Sequence, residues 1–167
     1  MQSKLHNKPL LITLGAIAAL SVIIFSRSTT VLQFASNDFQ CTLSLATFEL
    51  QWIHSVEKEL WQEAFQITGQ ELLLTTTQFK TFGAGTPNSA DVIATTDGWL
   101  HYKINRVLAH INLVVSRNVE STVLTELGVW PLYRDFADYA ELHIQVMQIP
   151  RWRYFTQESC DDYFKKP

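Results

Sequence analysis

The sequence has little of several residues that mark particular classes of protein. It contains two cysteines, six glycines and five prolines among 167 residues, and it has no Cys-x-x-Cys pair. Its five histidines are scattered rather than clustered with carboxylates. Zinc sites and disulfide-dense scaffolds need such clusters, so the sequence predicts no metal, no cofactor and no cysteine-rich framework.

An excess of positive charge is also missing. The chain has 13 Lys and Arg residues against 16 Asp and Glu residues. Lys4, Lys8 and Arg27 bracket the first apolar run, so the chain beyond Arg27 carries a net charge of about −6. A domain without a basic face does not displace counterions from a phosphate backbone, which argues against nucleic acid as a partner.

The N-terminal part carries a long uncharged run. Residues 10–26 are long enough to cross a bilayer if the flanking side chains snorkel to its surface. Lys4 and Lys8 precede the run, so residues 1–9 are expected in the cytoplasm. No Ala-x-Ala site follows, which favours an uncleaved single-pass anchor in the inner membrane over a cleaved signal peptide or a buried core helix. Both leading interpretations place the rest of the chain in the periplasm or another extracytoplasmic space.

Beyond this run, the pattern is that of an all-β protein. Short alternating segments are separated by turn signals and show almost no helical period. We expect a linker at 27–40, an exported β domain at 41–153 and a C-terminal tail at 154–167. The domain is predicted to be an antiparallel sandwich or a partly closed barrel of about seven to nine strands.

Two alternating runs, 48–55 and 61–67, predict a β-hairpin. Matching aliphatic with aliphatic and aromatic with aromatic residues gives one register, with Leu50 opposite Ile67, Trp52 opposite Phe65, and His54 opposite Glu63. His54 and Glu63 then become cross-strand partners on the inward face. Three roles stay open for the pair: closing the rim of the core, binding a ligand or partner, and general acid–base chemistry.

The next strand and its exit loop complete the candidate site. Leu72 and Leu74 continue the inward face, which brings Thr76 near Glu63. The exit loop contains two glycines and a proline, so it is either a wide turn or a backbone nest for an anion. The candidate ligand- or partner-binding residues are His54, Ser55, Glu63, Gly83, Gly85 and Pro87. Ser55 has the opposite parity to His54, so no Ser–His nucleophile and no catalytic residue is assigned.

The two cysteines are far apart in the sequence. Export to an oxidising compartment permits a Cys41–Cys160 disulfide that ties the tail to the start of the domain. Two free thiols are the alternative, because sequence spacing does not test the geometry of a bridge.

Several motifs together resemble one bacterial family. WIHSVEKELWQEAF at 52–65 and LLLTTTQFKTFGAGTP at 72–87 resemble the signature of the DUF1850 family, a group of exported proteins of unknown function. The matching points are His54-Ser55-Val56, Glu63, Phe79, Phe82-Gly83-Ala84-Gly85, Pro87, Asp97-Gly98-Trp99 and Ile149–Trp152. The resemblance runs from about Cys41 to Arg153. Departures are Lys58-Glu59-Leu60, where relatives often carry Thr-Pro, and the acidic tail with Cys160.

The resemblance implies a role beside a transporter. Proteins similar to this one tend to be encoded beside TRAP-type transporters of the TAXI class, which import organic acids with a periplasmic binding protein. We therefore expect a non-enzymatic accessory that contacts the transporter membrane subunit or its solute-binding protein. The alternative is a periplasmic binder of small organic acids, with a pocket lined by Trp52, Trp61 and Phe65. A hydrolase that uses His54 and Glu63 is the third hypothesis.

Overall fold

The computed structural model describes residues 12–17, 25–87, 91–93 and 98–165. This part of the chain confirms the all-β prediction and forms two antiparallel sheets, neither of which closes into a barrel. It contains eleven strands instead of seven to nine. The strands are β1 (Ser28–Ser36), β2 (Phe39–Leu43), β3 (Thr47–Ile53), β4 (Leu60–Thr68), β5 (Glu71–Phe79), β6 (Asp91–Ile93), β7 (Leu100–Leu108), β8 (His110–Val114), β9 (Thr122–Thr125), β10 (Gly128–Pro131) and β11 (Glu141–Pro150).

Short helical turns follow the later strands. They are α1 (Leu132–Asp135), α2 (Arg151–Tyr154) and α3 (Asp161–Phe164). The first of these begins directly after β10. The smaller sheet has the order β2-β1-β11-β8, and the larger sheet has the order β10-β9-β3-β4-β5-β7-β6.

The described chain divides into two compact units. The large unit comprises residues 30–147 and 158–165, and the small unit comprises residues 12–17, 25–29 and 148–157. In the large unit, side chains of both sheets share one buried cluster, as in a sandwich. Trp130 is fully buried there, and its indole N–H donates to Asp135 Oδ2 at 2.8 Å, so the polar atom of this core residue is satisfied.

The segment at 27–40 is not a linker, so this prediction was wrong. It holds β1 and the start of β2, which pair with Phe34 opposite Cys41 and Leu32 opposite Leu43. All four side chains are buried. Asn37-Asp38 forms the connecting turn, and the apolar alternation on both sides of it is the local signal for this hairpin.

The C-terminal residues are part of the core rather than a tail. The structure contains a Cys41–Cys160 disulfide, and both half-cystines are buried. Backbone bonds surround it: Thr42 N–H donates to Glu158 O at 2.9 Å, and Cys160 N–H donates to Thr42 O at 3.0 Å. Phe164 is also buried in the shared cluster. The disulfide and these bonds therefore make residues 158–164 a structural element of the domain.

The first hairpin of the large sheet has a different register from the predicted one. The observed partners are Phe48 with Phe65, Leu50 with Glu63, and Trp52 with Trp61. The shift is four residues, so every side chain keeps its face while it changes partner. This register stacks Trp52 on Trp61, with ring centroids 5.9 Å apart, and leaves a connection of six residues, 54–59.

The predicted anchor is described only in part. Residues 12–17 and 25–26 are helical, and the rest of the predicted segment at 10–26 lies outside the described residues, as do residues 1–9 and Asp97. In the part of the chain that the structure describes, we find no helix that is both long and apolar enough to cross a membrane.

The disulfide yields a testable prediction about stability. Cys41 and Cys160 are separated by 119 residues, so their bridge closes a long loop and restricts the unfolded chain. The chain-entropy relation for such loops gives about 4–5 kcal/mol. We expect the double variant Cys41→Ala/Cys160→Ala to have a free energy of unfolding that is lower than that of the wild-type protein by most of this amount. Urea denaturation measures the difference. Reductant should destabilise the wild-type protein and leave the variant unchanged; equal stability of the two proteins would contradict the assignment.

Candidate functional site

A cleft of about 500 Å³ opens beside β4, β5 and β7 and is bordered by the loop that follows β5. We call it the Glu63 cleft. Its lining combines a few apolar side chains with two acidic and two basic residues: Trp61, Glu63, Leu74, Thr77, Gly85, Pro87, Asp91, Lys103, Ile104, Asn105 and Arg106. A concave site with a few convergent polar groups is typical of small-ligand binding sites.

Irregular strand pairing shapes the cleft. Relative to β4, strand β5 has one extra residue between Leu74 and Thr76. At the same level, β7 has one extra residue between Lys103 and Arg106 relative to β5. Asn105 lies in this second bulge with φ 54°, a left-handed conformation that costs a non-glycine residue free energy. Bulges redirect side chains, and here they bring both Lys103 and Arg106 to the cleft.

The first bulge also changes which threonine faces the core. Thr75 Oγ1 donates to the Ala64 carbonyl at 3.0 Å, which occupies a backbone acceptor at the irregularity. After Thr75 the alternation of β5 reverses, so Thr77 is buried and lies opposite Glu63. The prediction that Thr76 approaches Glu63 was therefore wrong by one residue. Leu72 and Leu74 precede the bulge and are buried as predicted.

Glu63 lies between two apolar clusters. On its own strand it is flanked on the same face by Trp61, which belongs to the smaller cluster, and by Phe65, which belongs to the shared core. Burial raises the pKa of Glu63 above its ordinary value of 4.5, and the charge of Arg106 lowers that pKa by a smaller amount. The carboxyl group is thus held in a place that favours its neutral form.

The basic side chains at the cleft are exposed. Neither Lys103 nor Arg106 forms an ion pair with a carboxylate in the part of the chain that the structure describes. Asp91 lies directly opposite Lys103 on the edge strand β6. Two exposed cationic groups therefore line the same cleft as a partly buried acid, and this arrangement suits an incoming anion.

His54 belongs to a second group of residues, which we call the Glu57 latch: His54, Glu57, Gly83 and Ala84. His54 Nδ1 lies in direct contact with the Glu57 carboxylate, and Glu57 Oε1 accepts a hydrogen bond from the Ala84 N–H at 3.2 Å. A Cβ atom on Gly83 would collide with the Glu57 carboxylate, so a larger residue here would displace the Glu57 side chain. The latch thus joins the β3–β4 turn to the start of the cleft loop.

The structure separates the six predicted site residues into three groups. Glu63, Gly85 and Pro87 line the cleft, whereas His54 and Gly83 lie in the Glu57 latch. Ser55 is exposed on the β3–β4 turn. These six residues are His54, Ser55, Glu63, Gly83, Gly85 and Pro87.

The predicted His54–Glu63 pair does not form, because Glu63 lies opposite Leu50 and His54 follows the end of β3. The predicted aromatic pocket is also changed: Trp61 lines the cleft, while Trp52 and Phe65 are not part of its lining.

Sequence reasoning missed Glu57, Lys103 and Arg106. Glu57 had a usable signal, since it lies three residues after His54 in a turn, a spacing at which the two side chains can meet. No signal in the sequence placed Lys103 and Arg106 at one site, because strict alternation puts residues three apart on opposite faces of a strand. Among the described residues, no group of three or more His, Cys, Asp and Glu side chains could hold a metal ion.

Comparison with known proteins identifies the family. The model of the family described as "Domain of unknown function (DUF1850)" matches residues 48–132, which extend from β3 to the first residue of α1 and include every residue of the cleft lining. No curated protein and no solved structure matches the chain.

The raised pKa of Glu63 predicts a pH dependence of stability. The folded protein holds this proton more tightly than the unfolded chain does. The stabilisation is therefore fully present below the ordinary pKa of 4.5 and is lost as the pH rises through the raised value. Glu63→Gln removes the ionisation and keeps the shape of the side chain. We expect the variant to be more stable than the wild-type protein at neutral pH, and this advantage to shrink under acid.

The measurement is the free energy of unfolding as a function of pH, with the exposed Glu71→Gln as a matched control. The control should show no comparable gain at neutral pH. A Glu63→Gln variant whose stability relative to the wild-type protein does not change with pH would contradict this account.

Proposed function

Because this chain belongs to the DUF1850 family, we propose that it is a non-enzymatic binding module that serves a TRAP-type solute transporter of the TAXI class. It acts from the extracytoplasmic side of the inner membrane, where its partner is the transporter membrane subunit or the solute-binding protein. The Glu63 cleft recognises an anionic group in this interaction. The link to a transporter rests on the family resemblance, and the choice of surface rests on the geometry of the cleft.

One observation supports the cleft most directly: the exposed Lys103 and Arg106 stand beside the partly buried Glu63. A guanidinium group can bind a carboxylate through two parallel hydrogen bonds, and a lysine adds a compact positive charge. Neutral Glu63 can donate a hydrogen bond to the same anion, whereas its ionised form would repel it. The environment that raises the pKa of Glu63 therefore also favours anion binding.

The geometry argues against the hydrolase hypothesis. That hypothesis needed His54 and Glu63 to act as a pair on one face. Glu63 instead lies beside Arg106 in the cleft, and His54 is engaged by Glu57 in the latch. The binding hypotheses do not need the pair, since they use the cationic groups of the cleft and the loop that borders it.

The test is capture of partners from native membranes. Tagged full-length protein would be extracted in mild detergent and the accompanying proteins identified by mass spectrometry. We expect a transporter membrane subunit or its solute-binding protein with the wild-type chain and much less of it with Arg106→Gln. Lys165→Gln, which removes an exposed positive charge outside the cleft lining, is the matched control and should behave as the wild-type protein. Equal recovery with Arg106→Gln would reject the cleft as the contact, and recovery of the chain alone would reject the accessory role.

The volume of the cleft favours a second candidate, direct binding of a small organic acid. About 500 Å³ lies within the range of small-molecule sites. A thermal-shift screen of organic acids on the full chain distinguishes the two candidates. Direct binding predicts a melting temperature that rises with ligand concentration in the wild-type protein and stays constant in Arg106→Gln. A flat screen with the wild-type protein would contradict this candidate.

A further inference from the structure

The small unit carries an exposed aromatic and basic segment at Arg151–Phe155, which we call the RWRYF segment. Trp152 is 54% exposed and Phe155 is 72% exposed, and both arginines of the segment are exposed as well. Two large exposed aromatic side chains within four residues form an apolar patch that soluble surfaces usually avoid. The alternation with arginine gives the patch a positive rim.

The segment is attached to the end of the N-terminal apolar run. Arg151 N–H donates a hydrogen bond to the carbonyl of Arg27 at 2.9 Å. Arg27 follows directly after residues 10–26, and Phe25 at the end of that run is 50% exposed. A third arginine is therefore bonded to the RWRYF segment through its backbone, and Phe25 lies two residues before it in the same compact unit.

The distribution of charge separates this unit from the rest of the chain. Residues 12–17, 25–29 and 148–157 contain three basic residues and no acidic residue, whereas residues 30–147 and 158–167 contain 8 basic and 16 acidic residues. A region that is positive next to an apolar run fits the negative surface of an anionic bilayer. Tryptophan and arginine are the side chains expected there, because the indole ring prefers the interface and the guanidinium group binds phosphate.

We propose that the RWRYF segment is a second membrane contact, which inserts Trp152 and Phe155 at the bilayer interface while Arg27, Arg151 and Arg153 bind lipid phosphates. The inference rests on the proposed membrane location of the chain and is independent of the Glu63 cleft. The occupant is the lipid surface next to the apolar run. A protein partner or a second copy of the chain is the competing occupant that the experiment must exclude.

The experiment uses the full chain in vesicles of phosphatidylcholine with phosphatidylglycerol. The emission of Trp152 is obtained as the difference between the wild-type protein and Trp152→Phe. We expect this difference spectrum to be blue-shifted in vesicles, to lose intensity when the lipids carry a nitroxide near the headgroup, and to be shielded from aqueous iodide. In the double variant Arg151→Gln/Arg153→Gln, the nitroxide should quench Trp152 much less than in the wild-type protein. The emission of this variant should resemble that of the wild-type protein in vesicles of phosphatidylcholine alone, which carry no net negative charge.

Three outcomes would overturn the proposal. Strong quenching by iodide with none by the nitroxide would place Trp152 in water. Shielding from both quenchers would show that protein covers the segment. A chain that does not float with the vesicles would reject a membrane location altogether. The partner capture of Arg106→Gln and the vesicle measurement use different residues, so either proposal can fail while the other stands.

Discussion

The strand irregularity at Thr75 is the constraint on which the candidate site depends. β5 has one extra residue here, and β7 has one at the same level. Beyond each extra residue, the inward and outward side chains of the strand exchange places. Thr77 then faces inward beside Glu63, and Lys103 and Arg106 reach the same cleft although they are three residues apart. The cleft is lined by residues from both apolar clusters, and the residues next to the bulges provide the charges that make it suitable for an anion.

Aromatic packing supports this opening from the side of β4. Phe48 stacks on Phe65 within the shared core, and Trp61 stacks on Phe79, with ring centroids 5.0 Å and 4.6 Å apart. Glu63 lies between Trp61 and Phe65 along β4, so its burial follows from the packing of these two aromatic neighbours. The register of the β3–β4 hairpin leaves a short turn, from which Glu57 reaches the Ala84 amide. The loop that borders the cleft is therefore fixed by the hairpin that carries the buried acid.

The sequence predicted the local pattern well and long-range pairing poorly, for a physical reason. Alternation reports the face of each residue, and a shift of four residues preserves every face, so Trp52 and Phe65 were placed on the right side with the wrong partners. The bulge at Thr75 lies in a run of three threonines, whose similar side chains give no sign of a change in alternation. The segment at 27–40, predicted as a linker, carries a readable hairpin pattern of apolar alternation on both sides of Asn37-Asp38. The family resemblance is confirmed over residues 48–132, and it drew attention to Glu63, Gly85 and Pro87 without locating the basic residues beside them.

A single measurement tests directly whether the Glu63 cleft is an anion site, as we propose. That measurement is a titration of the isotope-labelled full chain with succinate, a simple dicarboxylate, followed by amide and side-chain chemical shifts. The account predicts saturable changes centred on Thr75–Thr77, Lys103–Arg106 and the Glu63 carboxyl group. Changes spread evenly over exposed lysines and arginines, or centred on another part of the domain, would contradict it.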